Sequence, residues 1–226
     1  MQIEIISTTK DSEDDFWTKS ALGISLRRIS FDPRIVPKIS FNYTSRIAVA
    51  YNERIKESQE DSILVFIHAD VWIDDHFFAH RVTEGLEKYD MIGVAGNCSR
   101  IPFQPAWAFI NTNFEWDKSE NLSGSICHGQ YPFGEVGNFG PTPIACELMD
   151  GVFMATKRKS LIDSNTFWDT ETYDYHFTDV DFCRTARTNG LRLGTWPISL
   201  THQSGATMNT DSWRAGYRRY IDKWRS

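Results

Sequence analysis

Residues 61–75 read DSILVFIHADVWIDD, and the reading of the fold starts from them. Ile63, Leu64, Val65, Phe66 and Ile67 form an unbroken apolar run rich in β-forming side chains. That is the pattern of a central strand covered on both faces, as in a parallel α/β sheet. The run stops at His68-Ala69-Asp70, so ligand-type side chains stand where such a strand ends. In open α/β sheets, ligands bind in the crevice beyond the carboxyl ends of the strands. A carboxylate there can hold a hard cation, and the cation a diphosphate; Asp70 is the candidate. An Asp after a strand is more commonly a turn former or helix cap. Asp74 and Asp75, ahead of His76-Phe77-Phe78-Ala79, fit capping at a helix start.

Working outward, strand and helix patterns alternate through the first half. Residues 3–7 read as a strand and 16–28 as a helix that Gly23 weakens. Pro33 and Pro37 mark a connection, 38–43 a strand and 45–58 a helix. After the central strand come a helix over 75–88 and a strand over 91–95. This alternation predicts parallel βαβ units. From 97 to 146 the chain turns rich in Gly, Pro, Ser and Asn with scattered aromatics. A stretch of that length without periodicity is usually functional or mobile, and it is read as short strands and loops lining a site. Residues 147–156 return to strand character around Asp150-Gly151. Helices follow at 157–163 and 177–189, the second stopped by Gly190, then a strand over 191–201 and a helix over 211–224.

At 226 residues the chain suits a single domain with a full core. The apolar fraction of 41% and charged fraction of 24% are ordinary for a globular protein. A net charge of −6 argues against nucleic acid, which needs a basic footprint. Cys98, Cys127, Cys146 and Cys183 show neither close pairing nor metal-type spacing, which predicts reduced thiols in the cytoplasm. An apolar strand pattern begins at Ile3, leaving no secretory signal pattern, and no 18-residue apolar run is present. The basic, aromatic segment 214–225 allows at most peripheral contact with a membrane. Eight Trp suit a core and equally a sugar-binding cleft.

Four polar signals fall beside predicted strand ends or helix starts: His68-Ala69-Asp70, Asp150-Gly151, Thr178-Asp179-Val180-Asp181 and His202-Gln203-Ser204-Gly205. Singly each is weak. In this order, on this layout, they resemble the inverting family 2 glycosyltransferases of the GT-A fold, over nearly the whole chain. The resemblance implies a single α/β domain with a mixed, mostly parallel central sheet flanked by helices. Residues 1–96 would form the nucleotide half and 97–226 the acceptor half. Ile3 to Thr8 is similar to the base-binding edge, placing Ser7 and Thr8 on the donor, and Ala48 to Asn52 is similar to the helix carrying a nucleotide-contacting Asn, here Asn52. His68 and Asp70 stand at the metal-binding DxD, Asp150 and Gly151 at the acceptor-side DG, and Asp179 at the catalytic base, with Asp181 as the fallback. The closing His-x-Ser-Gly and Lys223-Trp224 also have counterparts. Two departures stand out: His68 replaces the first Asp of DxD, and Thr178 stands where many relatives have Glu.

The reaction so implied moves a sugar from a nucleoside-diphosphate sugar, a UDP-sugar by expectation, to a glycan or other hydroxyl acceptor. Asp70 and His202 would hold Mn2+ or Mg2+, the imidazole favouring Mn2+. Asp179 would take the acceptor proton, with inversion at the anomeric carbon. The alternative is a catalytically degenerate nucleotide-sugar-binding relative, motivated by His68. A nucleotidyltransferase would want a glycine-rich basic loop after the first strand, and a metal hydrolase more clustered His and Asp.

Overall fold

Ile63–Ile67 is a strand with every side chain buried, at the heart of a computed structural model that describes residues 1–203 and 207–225. In chain order the strands and helices begin with β1 (Ile3–Thr8), α1 (Glu13–Lys19), α2 (Ala21–Arg28), β2 (Ile35–Ser40) and α3 (Ile47–Glu57). The central strand is β3, followed by β4 (Val71–Ile73), α4 (Phe78–Lys88), β5 (Met91–Gly93) and β6 (Ala95–Asn97). Next come β7 (Leu122–His128), β8 (Glu135–Gly140), β9 (Ala145–Cys146), β10 (Leu148–Met149) and β11 (Phe153–Lys157). The chain closes with α5 (Arg158–Asp163), α6 (Thr178–Thr188), β12 (Leu193–Thr195), β13 (Leu200–His202) and α7 (Asp211–Trp224).

The main sheet runs β2-β1-β3-β11-β5-β12-β9. β1 is parallel to both neighbours and β5 is parallel to β12, as the βαβ pattern predicts. β11 enters antiparallel between β3 and β5, which makes the sheet mixed. A second sheet runs β10-β6-β7-β13-β4, with β8 paired to β7. The chain passes from one sheet to the other at 68–70, between β3 and β4, and again at 150–152, between β10 and β11. These two of its crossings carry residues singled out from the sequence. Among the described residues no helix is long and apolar enough to cross a membrane.

Several elements differ from the sequence reading for definable reasons. The helix expected over 16–28 is broken at Ser20, whose Oγ donates to Phe16 O (2.7 Å) and accepts from Gly23 N (2.9 Å). One side chain thus closes α1 and opens α2. A Cβ on Gly23 would stand 2.1 Å from Phe16 O, so the junction requires glycine. β2 starts at Ile35 and includes Pro37, tolerated because β2 is an edge strand. Asp75 behaves as expected, accepting from Phe77 N (2.8 Å) ahead of α4. Asp74 does not cap: it is buried, and Oδ2 accepts from Thr201 Oγ1 (2.6 Å) and Phe133 N (3.1 Å), tying β13 to the β7–β8 connection. The strands expected over 91–95, 147–156 and 191–201 are each split in two, one piece per sheet.

Candidate active site

The seam between the two sheets gathers the chemistry. His68 and Asp70 follow β3, and His202 ends β13, opposite Val71 in the antiparallel register with β4. Backbone bonds fix all three: His68 N donates to Val152 O (3.2 Å), Gln203 N donates to Asp70 O (3.0 Å) and Gly129 N donates to His202 O (3.2 Å). His202 Nε2 stands 3.4 Å from Asp70 Oδ2, and one potential ligand atom from each of the three lies within 4.8 Å of the others. Burial pushes the His68 imidazole below its ordinary pKa, with Asp70 opposing and His202 assisting. A neutral imidazole is the ligand form, so two imidazoles and a carboxylate fit a divalent transition-metal ion.

Two cavities meet at this cluster. One, about 690 Å³, is lined by Ser7, Thr8, Lys10, Asp15, Lys19 and Asp70 among others. Ser7 Oγ is buried there and bonds no other protein group among the described residues. The second, about 340 Å³, is lined by Trp107, Trp116, Phe139, Asp150, Asp179 and Trp213 among others. Ile47, Tyr51, His68 and Tyr175 border both.

Asp179 lies on the first turn of α6, just after Phe177, a non-glycine residue at φ 70°. Phe177 is held there by ring contacts with Trp213, Tyr217 and Tyr220, and such strain persists only where the surroundings over-determine it. Asp179 Oδ2 accepts from Gly151 N (3.3 Å). Burial, then repulsion from Asp150, pushes its pKa up to about 6, with backbone N–H groups at the helix start opposing. A Cβ on Gly151 would meet Asp179 Cβ at 2.7 Å. Gly151→Ala is therefore expected to cut turnover far more than it lowers the thermal midpoint. Wild-type turnover would show that the contact is not functional. Asp150 is fixed at both oxygens, Oδ2 accepting from Trp107 Nε1 (2.7 Å) and Oδ1 from Val152 N (2.8 Å).

Two expected residues are not brought to the site. The Asn52 amide is engaged with the Trp168 backbone, Nδ2 donating to its O (2.8 Å) and Oδ1 accepting from its N (2.9 Å). Its neighbour Tyr51 borders the cavities instead. Asp181, 1% exposed, takes bonds from Tyr173 Oη (3.1 Å), Trp224 Nε1 (2.7 Å) and Lys223 Nζ (2.9 Å). With those partners it anchors α7 to α6 and does not face the cavity, which excludes it as the fallback base. Removing one partner of a buried ion pair leaves a charge uncompensated. Lys223→Ala is expected to lower unfolding free energy by about 2–4 kcal/mol in urea titrations; a change below about 0.5 kcal/mol would refute the anchoring role. Ser204 and Gly205 lie outside the described residues. Trp107 and Tyr175 were not singled out from the sequence, where they stand among many aromatics without periodic signal.

Two solved structures are similar to the chain in fold. GalNAc-T7, solved with UDP, GalNAc and Mn2+, aligns at 10% identity and a TM-score of 0.54, covering 98% of this chain and 48% of that one. S. aureus TarS aligns at 12% identity and a TM-score of 0.51, covering 90% of this chain and 37% of that one. The chain thus spans about half the length of the first and less of the second, and at such identities the likeness shows the fold alone. No curated protein matches it. The sequence matches the family described as glycosyltransferase-like over residues 35–219, a stretch that takes in the seam, both cavities' shared wall and α6. On that match, and with the mixed α/β architecture of GT-A enzymes, the chain belongs to the glycosyltransferase-like family.

Proposed function

We propose that the protein is a metal-dependent inverting glycosyltransferase, moving a sugar from a nucleoside-diphosphate sugar, UDP-linked by preference, to a hydroxyl of a glycan or other saccharide. The observation that carries this reading is the pairing of a two-histidine, one-carboxylate cluster with a raised-pKa carboxylate, Asp179, in cavities that share His68 as a wall. GalNAc-T7, of similar fold, was solved with UDP and Mn2+, in keeping with the donor class.

In this account residues 1–96 supply the donor side and 97–226 the acceptor side. Ser7 and Thr8 line the larger cavity, where the Ser7 hydroxyl can meet the nucleotide. Asp70 and His202 would hold Mn2+ or Mg2+, and such a cation would supply charge neutralisation for a leaving diphosphate. The smaller cavity takes the acceptor, with aromatic faces suited to sugar rings. Asp150 accepts from a sugar hydroxyl while Trp107 holds its carboxylate in place. Asp179 removes the acceptor proton as the hydroxyl attacks from the face opposite the leaving group, which inverts the anomeric centre.

A base is effective when its pKa lies near the working pH. With Asp179 at about 6, kcat should rise with pH through that value as the carboxyl ionises. The acid limb should vanish in Asp179→Asn. A flat profile between about pH 5 and 8 would remove Asp179 from the role. His68 motivates a second reading, a relative that binds nucleotide sugar without transfer. It predicts UDP binding with no turnover to lose on Asp179→Asn.

A further inference from the structure

In the proposed mechanism Asp70 and His202 hold the cation, and His68 stands beside them in the same cluster. We infer that His68 is a third protein ligand, so that His68, Asp70 and His202 form a two-histidine, one-carboxylate site that takes up a divalent transition metal before any nucleotide arrives and prefers it to Mg2+. The inference rests on the proposed metal site and assigns its composition and selectivity.

Three observations support it. The first is distance. At metal–ligand lengths of about 2.1 Å, neighbouring ligand atoms stand about 3–3.5 Å apart. His202 Nε2 and Asp70 Oδ2 are already at 3.4 Å, and the His68 ligand atom lies within 4.8 Å of both. Side-chain rotation closes the remaining gap.

The second is support. His68 sits at the end of a fully buried strand with its N–H on Val152 O, and Asp70 and His202 are tied across β4 and β13. The three side chains leave a fixed backbone, so little ordering is required when an ion enters. A site resting on one carboxylate would need the diphosphate to complete it; three protein ligands do not.

The third is chemistry. Two acids at 68 and 70 would make oxygen the majority donor beside His202, a harder set closer to what Mg2+ takes, since that ion prefers octahedral oxygen and keeps its waters. An imidazole at 68 alongside His202 makes nitrogen the majority donor. Affinity should then follow the transition-metal order, with Co2+ above Mn2+. The His68 and His202 rings stand 5.8 Å apart at 60° to one another and are not stacked.

The test uses the whole chain, stripped with chelator and free of nucleotide, titrated by calorimetry with CoCl2, MnCl2 and MgCl2. Visible absorption reports Co2+ coordination independently of activity. Wild type should bind one Co2+ with a ligand-field band, Mn2+ more weakly, and Mg2+ without measurable heat. His68→Ala should weaken Co2+ by about tenfold or more and change the band. His68→Gln, which keeps more of the side-chain volume, gives the same reading should the Ala variant not fold. His68→Asp should narrow the gap between Co2+ and Mg2+. Wild-type Co2+ affinity and band in the His68 variants, with loss in Asp70→Ala and His202→Ala, would overturn this inference and leave the two-ligand site standing. Binding by wild type only when UDP is added would also overturn it. Indifference to all three positions would remove the metal site itself.

Discussion

Asp179→Asn will lower the transfer rate by about 10²–10⁴-fold, the usual contribution of a positioned general base, while leaving donor binding intact. The same change should make the protein more stable at neutral pH. The Asp179 carboxyl titrates near 4 in an unfolded chain and at about 6 in the fold, because burial and then Asp150 disfavour its charge. Between those values the folded state holds more protons, so stability falls as pH rises and the full cost is present above about 6. After a discount for residual solvent, the cost is about 1–2 kcal/mol. Asn is nearly isosteric and keeps an acceptor for Gly151 N. At pH 7.5 the variant's thermal midpoint should therefore rise by a few degrees, and near pH 4 the difference should disappear. Loss of turnover together with a lowered midpoint would instead mark Asp179 as structural.

Asp70→Ala is expected to have the second large effect. It removes the carboxylate that stands 3.4 Å from His202 Nε2 at the seam of the two sheets. Without it, two imidazoles would face the donor diphosphate with no anionic ligand for the cation. Equilibrium dialysis with Mn2+ and UDP together should show a loss of about a hundredfold or more in ternary binding, beyond what outer-shell changes cause. Nucleotide affinity measured in chelator should be the same in variant and wild type. Equal ternary binding by the two proteins would move the cation elsewhere.

The parts of this account legible in the sequence are those set by local burial. The run 63–67 is apolar throughout because β3 has neighbours on both edges and cover on both faces. Gly190 ends α6 at φ 87°, where glycine is favoured. His68, Asp70, Asp150 and Asp179 stand out in the sequence because they fall at strand ends and a helix start, and the structure places them along the two cavities. The misread polar residues share one cause: a polar side chain's partner can lie far along the chain. Asn52 bonds a peptide 116 residues away, and Asp74 bonds Thr201 at a separation of 127. Asp181 pairs with α7, so spacing within its own helix could not separate it from Asp179. The split strands were hidden because both halves of 91–97 are buried, and apolar continuity does not reveal a change of sheet.

The central claim is that this seam binds a nucleoside diphosphate through a protein-held cation. Calorimetric titration of UDP into the wild-type chain, first with Mn2+ and then with excess chelator, tests it without needing the acceptor. The account predicts one UDP per chain with Mn2+, and a marked loss of affinity once the metal is removed. Equal affinity in both conditions, or no binding of UDP or GDP in either, would contradict it.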